Sequence, residues 1–376
     1  MRFVDEFRDP RLAKALVEEI HREAQGLETV TLMEVCGTHT MSIFRHGIRG
    51  MLPPNVRLLS GPGCPVCVTP NAFLDRAIAY GRQPGVILAT FGDMMRVPGS
   101  TSSLERERAG GQDIRVVYSP LDALKVAAGN PRHTVVFLGV GFETTAPTVA
   151  ASMLEARRKG LTNYTVLAAH KRVPPAMETV AKAREVGLAG FICPPHVSAI
   201  IGTRPYETLA THHGLSCVVT GFEPLDILQG LLMLMRQIRR GEHRVEIQYR
   251  RVVGRNGNPA AIALMESVFE TEDSLWRGIG PIPESGLRIR EPFADLDIAR
   301  RMTVEVESSR EEKGCCCGDV LRGVRLPPQC GLFGRRCTPE HPVGACMVSG
   351  EGTCAAYYKY GAEGSGASDP FFRRRS

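Results

Sequence analysis

The sequence has no long apolar run. Its most apolar stretch, LLMLM at Leu231 to Met235, is cut by Arg236 and Gln237, far short of the roughly 20 residues that span a bilayer, so no membrane crossing is expected. The start, MRFVDEFRDPRLAKALVEEI, lacks the basic end and apolar block of an export signal. Its apolar residues recur near a spacing of 3.6 among charges, which predicts an amphipathic helix and a cytoplasmic protein. No G-x-x-x-x-G-K-[ST] loop is present, so a conventional nucleoside triphosphate site is not expected. The net charge of +6 is scattered among acidic residues, and no aromatic and basic residues interleave. A nucleic-acid face is therefore not expected. The one basic run, Arg373 to Arg375, follows the Gly/Ser-rich stretch Gly361 to Ser368 and reads as a disordered tail.

What is present is a packed core and cysteine. At 376 residues and 43% hydrophobic the chain is long enough for two or three domains. Short β-rich runs alternate with turn residues and helical patterns at Val30 to Val35, Val56 to Ser60, Gly85 to Thr90 and Ile114 to Tyr118. The rhythm restarts at Thr134 to Val140, Thr165 to Ala169, Gly190 to Cys193 and Ser216 to Thr220. This predicts an α/β fold of two similar parallel-sheet domains facing a cleft, residues 1–128 and 129–241. Strand ends lead into loops rich in Gly, Pro, His, Cys or acidic residues, where open α/β sheets place ligands. From residue 242 the pattern changes to a short strand, Arg244 to Tyr249, a helical stretch after Gly257, a Pro/Gly-rich segment and a Cys-rich end. Residues 242–376 are expected to form a third domain that depends on a metal for its fold.

Twelve cysteines without an export signal point to metal ligation or redox chemistry rather than to disulfide staples. Seven of them lie between Cys315 and Cys354. Loops that gather several thiolates can fill the tetrahedral positions of zinc or of an iron–sulfur cluster. The absence of paired C-x2-C knuckles favours the cluster. Cys315, Cys316 and Cys317 are sequence neighbours, and adjacent side chains in extended chain point apart, so all three cannot serve one site. Some of the seven are ordinary buried thiols.

Upstream, Cys64-Pro65-Val66-Cys67 follows a strand through Gly61-Pro62-Gly63. C-x-x-C spacing suits a reversible disulfide or chelation of one metal, and a helix beginning after Pro70 would lower the thiol pKa values. Cys36-Gly37-Thr38-His39-Thr40 sets a thiol and an imidazole in one loop, where they bind a soft metal, activate the thiol, or form a buried pair with no chemistry. GVGFE, Gly139 to Glu143, is only loosely like a phosphate loop and reads first as a turn. Cys193, near His196, is a further cleft thiol or a buried strand-end cysteine, and Cys217 reads as core.

Taken together, CGTHT, GPGCPVC, GFETTAP, HKRVPPAM and SGEGTCAAYYKY resemble the signatures of the HypD family of [NiFe]-hydrogenase maturation factors, over nearly the whole chain. Pro195 departs from the family's C-P-G-H motif, which puts any special role of Cys193 and His196 in doubt. The resemblance implies two related α/β domains and a third carrying a [4Fe-4S] cluster. It implies a scaffold that assembles an Fe(CN)2CO unit with a small HypC chaperone and a HypE cyanide donor. The family spacing C-x14-C-x6-C-x16-C falls on Cys315, Cys330, Cys337 and Cys354, with Cys317 the chief rival to Cys315 and with Cys316 and Cys346 outside the set. Cys36 would hold the iron jointly with a HypC cysteine, and His39 would be a nearby ligand or orienting group. Cys64 and Cys67 would be a redox couple or would ligate the iron directly. A free-standing thiol–disulfide oxidoreductase using Cys64 and Cys67 is the alternative expectation, and a zinc-stabilised binding module ranks behind it.

Overall fold

A computed structural model describes residues 5–183 and 185–364; the basic run and residues 365–368 of the Gly/Ser-rich stretch lie outside them. The predicted first helix is present as α1, Pro10–Ala24. Asp9 caps it by accepting from the backbone N–H of Arg11 at 2.8 Å, and Pro10 supplies a fixed φ where no N–H is needed. Its far end is closed by Arg239, which donates to the carbonyls of Arg22, Glu23 and Gln25. No helix among the described residues is long and apolar enough to cross a membrane.

Every predicted strand forms: β1 (Val30–Glu34), β2 (Val56–Ser60), β3 (Val86–Thr90), β4 (Ile114–Val116), β5 (Thr134–Gly139), β6 (Tyr164–Ala168), β7 (Leu188–Cys193), β8 (Ser216–Val219) and β9 (Val245–Ile247). They pair in parallel into two sheets. Most are apolar and buried on both faces, as strands covered by helices on each side must be. The α/β class and its parallel sheets are as expected, but the strands do not sort by halves of the sequence. One sheet runs β2-β1-β7-β8-β9 and the other β4-β3-β5-β6. The chain therefore leaves the first sheet after β2, builds the whole second sheet, and returns at β7. The expected division at 128/129 falls inside the four-stranded sheet, and that at 241/242 separates β9 from its partner β8. Runs such as VVFLG and VILAT carry no label of sheet membership, which is set by the crossovers.

The proline-rich segment after residue 257 holds a helix, Pro259–Val268, and an antiparallel hairpin of β10 (Phe269–Trp276) and β11 (Gly280–Ile289) that the sequence reading missed. The hairpin lies over the four-stranded sheet and buries Trp276 completely, with Nε1 donating to Ser285 Oγ at 2.8 Å. The Cys-rich end is mostly irregular, with short helices Cys317–Leu321 and Thr353–Gly364. It is not a free-standing unit. Tyr357 packs edge-on against Phe44 with ring centroids 4.5 Å apart and accepts from Arg49. Cys317, Cys337, Cys346 and Cys354 join one apolar core with Met33 of β1, Leu88 of β3, Leu138 of β5 and Phe191 of β7. The inner faces of both sheets and the cysteine segment thus share one interior.

Candidate functional site

The loop after β1 and the loop after β2 are built against each other. Gly61 donates to the carbonyl of Glu34 at 2.7 Å, and Gly37 donates to that of Gly63 at 3.1 Å. A Cβ at Gly63 would stand 2.2 Å from the Cys36 backbone nitrogen. Only glycine allows that approach, and it brings the Cys64–Cys67 loop alongside Cys36.

Cys36 is the N-cap of helix α2, Gly37–Arg45, and the backbone N–H groups of Thr38 and His39 face its sulfur. Burial nevertheless pushes its thiol up to about 12, with the carboxylates of Glu351 and Glu34 nearby adding to the rise. The protein alone keeps Cys36 protonated, so a metal must displace the proton to gain the thiolate. Beneath it, fully buried Glu34 accepts from Cys36 N at 3.0 Å and Thr40 Oγ1 at 2.5 Å, and burial raises its carboxyl to about 7.

Cys64 caps the short helix Pro65–Val68, its Sγ accepting from Cys67 N at 3.2 Å, and the two cysteines are joined as a disulfide with Cα atoms 5.3 Å apart. Both are almost fully buried, an enclosed setting that the C-x-x-C spacing did not announce. The apolar side chains around Val66 and Val68 close over them. Cys67 Sγ lies 3.9 Å from the carbonyl of Ala345, the residue before Cys346. The disulfide therefore stands between Cys36 and the C-terminal cysteines.

His39 is committed elsewhere. Its Nε2 is 2.9 Å from the carbonyl of Gly221 and 3.0 Å from Thr220 Oγ1, and Nδ1 is buried without a partner among the described residues. A carbonyl only accepts, so Nε2 carries the proton. Burial lowers the imidazole to about 4, which keeps it neutral. The ring rests on Phe222, which also carries the exposed His196. His39 thus ties α2 to the loop after β8, and its backbone rather than its ring faces Cys36. Cys193 and Cys217 are buried neighbours on β7 and β8.

The C-terminal segment closes over the cleft. Ser349 donates to Asp93 at 3.1 Å in the segment after β3, and Thr38, in the first turn of α2, donates to Glu351 at 2.6 Å. Glu351 lies against Gly37 and near both Cys36 and His196. Glu34 and Glu351 were missed in the sequence, although Glu351 sits inside the SGEGTCAAYYKY motif and Glu34 ends the strand two residues before CGTHT.

Of the expected quartet, Cys315 and Cys354 share a thiol group with Cys317 and Cys346. The Cys315 and Cys317 sulfurs are 3.3 Å apart, and Cys317 interacts with Cys346 and Cys354. Cys316 turns away, as alternation predicted, toward Arg325 and Cys330. Cys330 Sγ lies 3.8 Å from the carbonyl of Gly314, next to Cys315, and Cys337 accepts from Val343 N at 3.4 Å. Cys315 is drawn down to about 6, first by the Cys317 thiol and then by a backbone N–H and the Arg277 cation. No group of three or more His, Cys, Asp or Glu among the described residues has the arrangement of ligands to a metal ion. The donor chemistry, seven soft thiols on one short segment beside a buried cation, fits an iron–sulfur cluster in kind.

Comparison with known proteins agrees with this arrangement of motifs. The HypD family, described as "Hydrogenase formation hypA family", matches residues 11–361. The hydrogenase maturation factor HypD of Azotobacter vinelandii is 49% identical over 370 residues, covering 96% of this chain and 98% of its own. Those of Rhodobacter capsulatus and Cupriavidus necator are 47% identical over 371 residues and 45% over 369, each covering 96% of this chain and 98% and 97% of their own. By the extent of that match and by the motifs that line its cleft, the chain belongs to the HypD family of hydrogenase maturation factors.

Proposed function

We propose that this chain is a cytoplasmic scaffold with redox-active thiols on which an Fe(CN)2CO unit is assembled, together with a HypC-type chaperone and a HypE-type cyanide donor. The observation that carries the reading is the contact of Gly63 with Cys36, which sets a disulfide loop directly beside a buried single thiol. Cys36 would take the iron of the incoming unit as substrate, losing its proton as the metal binds, while the N–H groups at the start of α2 receive the negative charge. Glu34 holds the Cys36 backbone, His39 anchors the helix behind it, and Glu351 covers it from the C-terminal side. Soft thiolates suit a low-spin iron with strong-field diatomic ligands.

Reduction of the Cys64–Cys67 disulfide takes two electrons and two protons and yields two thiols beside Cys36, which either reduce the iron or its incoming ligand or join its coordination. Cys315, Cys330, Cys337 and Cys354 would hold a [4Fe-4S] cluster, which supplies electrons singly when bound. Cys317 and Cys346 lie with Cys315 and Cys354, and Cys346 follows Ala345, whose carbonyl is near Cys67. Against the free-standing oxidoreductase stands the burial of both sulfurs, since a protein disulfide must reach the thiolate it exchanges with.

The test is anaerobic purification. The scaffold reading expects a brown protein with about four irons in its cluster, and loss of iron–cyanide loading in Cys36→Ala with that cluster retained. A colourless, zinc-only preparation refutes it, and simultaneous loss of both centres shows that the sites were assigned wrongly.

A further inference from the structure

The turn of the β10–β11 hairpin reaches from the four-stranded sheet into the space between two cysteine segments. On one side Arg277 N donates to the carbonyl of Val68 at 2.9 Å, at the end of the Cys64–Cys67 helix. On the other side Gly278, at φ +74°, lies against Gly318. A Cβ at 278 would stand 2.3 Å from Gly318 Cα, and one at 318 would stand 2.5 Å from the Gly278 carbonyl oxygen. Backbone contacts on both flanks therefore fix where residue 277 points.

Its side chain is 7% exposed. One guanidinium nitrogen donates to Asn71 Oδ1, while Nε is buried with no partner among the described residues. No carboxylate among those residues forms an ion pair with it. The groups whose charge reaches it are Cys317, Cys346 and Cys315, together with the exposed Glu311. A buried cation with an unmet donor is costly unless an anion compensates it, and the groups around this one are thiols, which become anionic when they bind a metal.

We propose that Arg277 is the buried counter-charge of the C-terminal cysteine centre, raising the reduction potential of the cluster those cysteines hold. This rests on the cluster reading above. A cluster gains one negative charge when it accepts an electron, so a fixed buried cation stabilises the reduced state more than the oxidised one. The same turn binds the Cys64–Cys67 helix, so the charge that sets the cluster's potential is fastened to the disulfide loop.

The test is a redox titration of the anaerobic full chain, followed by electron paramagnetic resonance, with iron content and circular dichroism as controls. Arg277→Met should move the midpoint to more negative potential, lowering the reduced-to-oxidised ratio at the wild-type midpoint at least tenfold, or about 59 mV for a one-electron couple. Arg277→Lys keeps the charge and should leave the midpoint close to that of the wild type. Arg277→Gln, which removes the charge but keeps an amide donor for Asn71, should move the midpoint the same way as Arg277→Met, and it decides the matter if Arg277→Met does not fold. An iron-loaded Arg277→Met or Arg277→Gln with an unmoved midpoint, or a lysine variant that shifts as far as the methionine variant, would overturn the role of Arg277. A wild-type chain that binds no iron would instead overturn the cluster reading, and the proposal with it.

Discussion

Gly63→Ala is the sharpest probe of how the two cysteine loops are joined. Gly63 does not have a positive φ, so alanine meets no backbone strain there and the whole effect is one of contact. Its Cβ would stand 2.2 Å from Cys36 N, 2.5 Å from Val35 C and 2.6 Å from Cys36 Cα. All three are backbone atoms, so no side chain can swing away and the loops must part. Overpacking of this kind costs about 1–3 kcal/mol, and loss of the Gly37 N to Gly63 O bond adds about 1 kcal/mol. The sum, about 2–4 kcal/mol, leaves a protein of ordinary stability folded. A displacement of about 1 Å between reacting groups lowers rates on the order of 100-fold, so loading of iron and cyanide should fall far more than stability does. Urea unfolding and infrared-detected loading would be compared with Gly350→Ala, whose Cβ meets nothing within 4 Å and which should change stability by about 0.5 kcal/mol or less. A Gly63→Ala protein that unfolds and loads like the wild type would refute the contact argument.

Three other outcomes are expected. Cys330→Ser or Cys337→Ser should lose the cluster while Cys317→Ser keeps it, read by iron content and visible absorption; the reverse result would make Cys317 and Cys346 the ligands. Glu143 is buried, accepts from Val173 N at 3.0 and 3.2 Å, and has its carboxyl raised from 4.5 to about 7 by burial. The folded protein therefore holds a proton that the unfolded chain releases, and stability falls as pH rises from about 4.5 through about 7, by about 3 kcal/mol at most. Glu143→Gln should shrink the difference between urea midpoints at pH 5 and pH 8 without abolishing it, since Glu34 titrates in the same window; an unchanged difference contradicts the assignment. Glu351→Ala removes the Thr38 bond over Cys36, worth about 1 kcal/mol, so native-state alkylation of Cys36 by iodoacetamide should quicken about fivefold by mass spectrometry. Unchanged protection would mean that Glu351 does not cover the thiol.

Much of this arrangement was legible in the sequence because strand ends announce themselves. Runs such as VTLME and VRLLS ended at loops carrying Cys, His and Gly, and those loops are the ones that line the cleft. Pairing was not legible, because a buried parallel strand is equally apolar whichever sheet it joins, and only the crossovers assign β1 and β2 to the same sheet as β7. The hairpin was hidden because FETEDSLW and GPIPESGLRI keep a wet face and carry acids and prolines that weaken the strand signal. Arg277 reads as a surface charge by residue type, and only the fold buries it beside Cys315 and Cys317. The approach of Cys317 to Cys346 likewise depends on a return of the chain that spacing does not encode.

The central claim is that Cys36 holds the iron being dressed while the C-terminal cysteines hold a separate centre. Infrared spectroscopy of the anaerobic chain with its HypC-type partner tests this most directly. The account predicts cyanide and carbonyl stretches that disappear in Cys36→Ala while the visible absorption of the cluster remains. Stretches that persist in Cys36→Ala would place the iron elsewhere and contradict it.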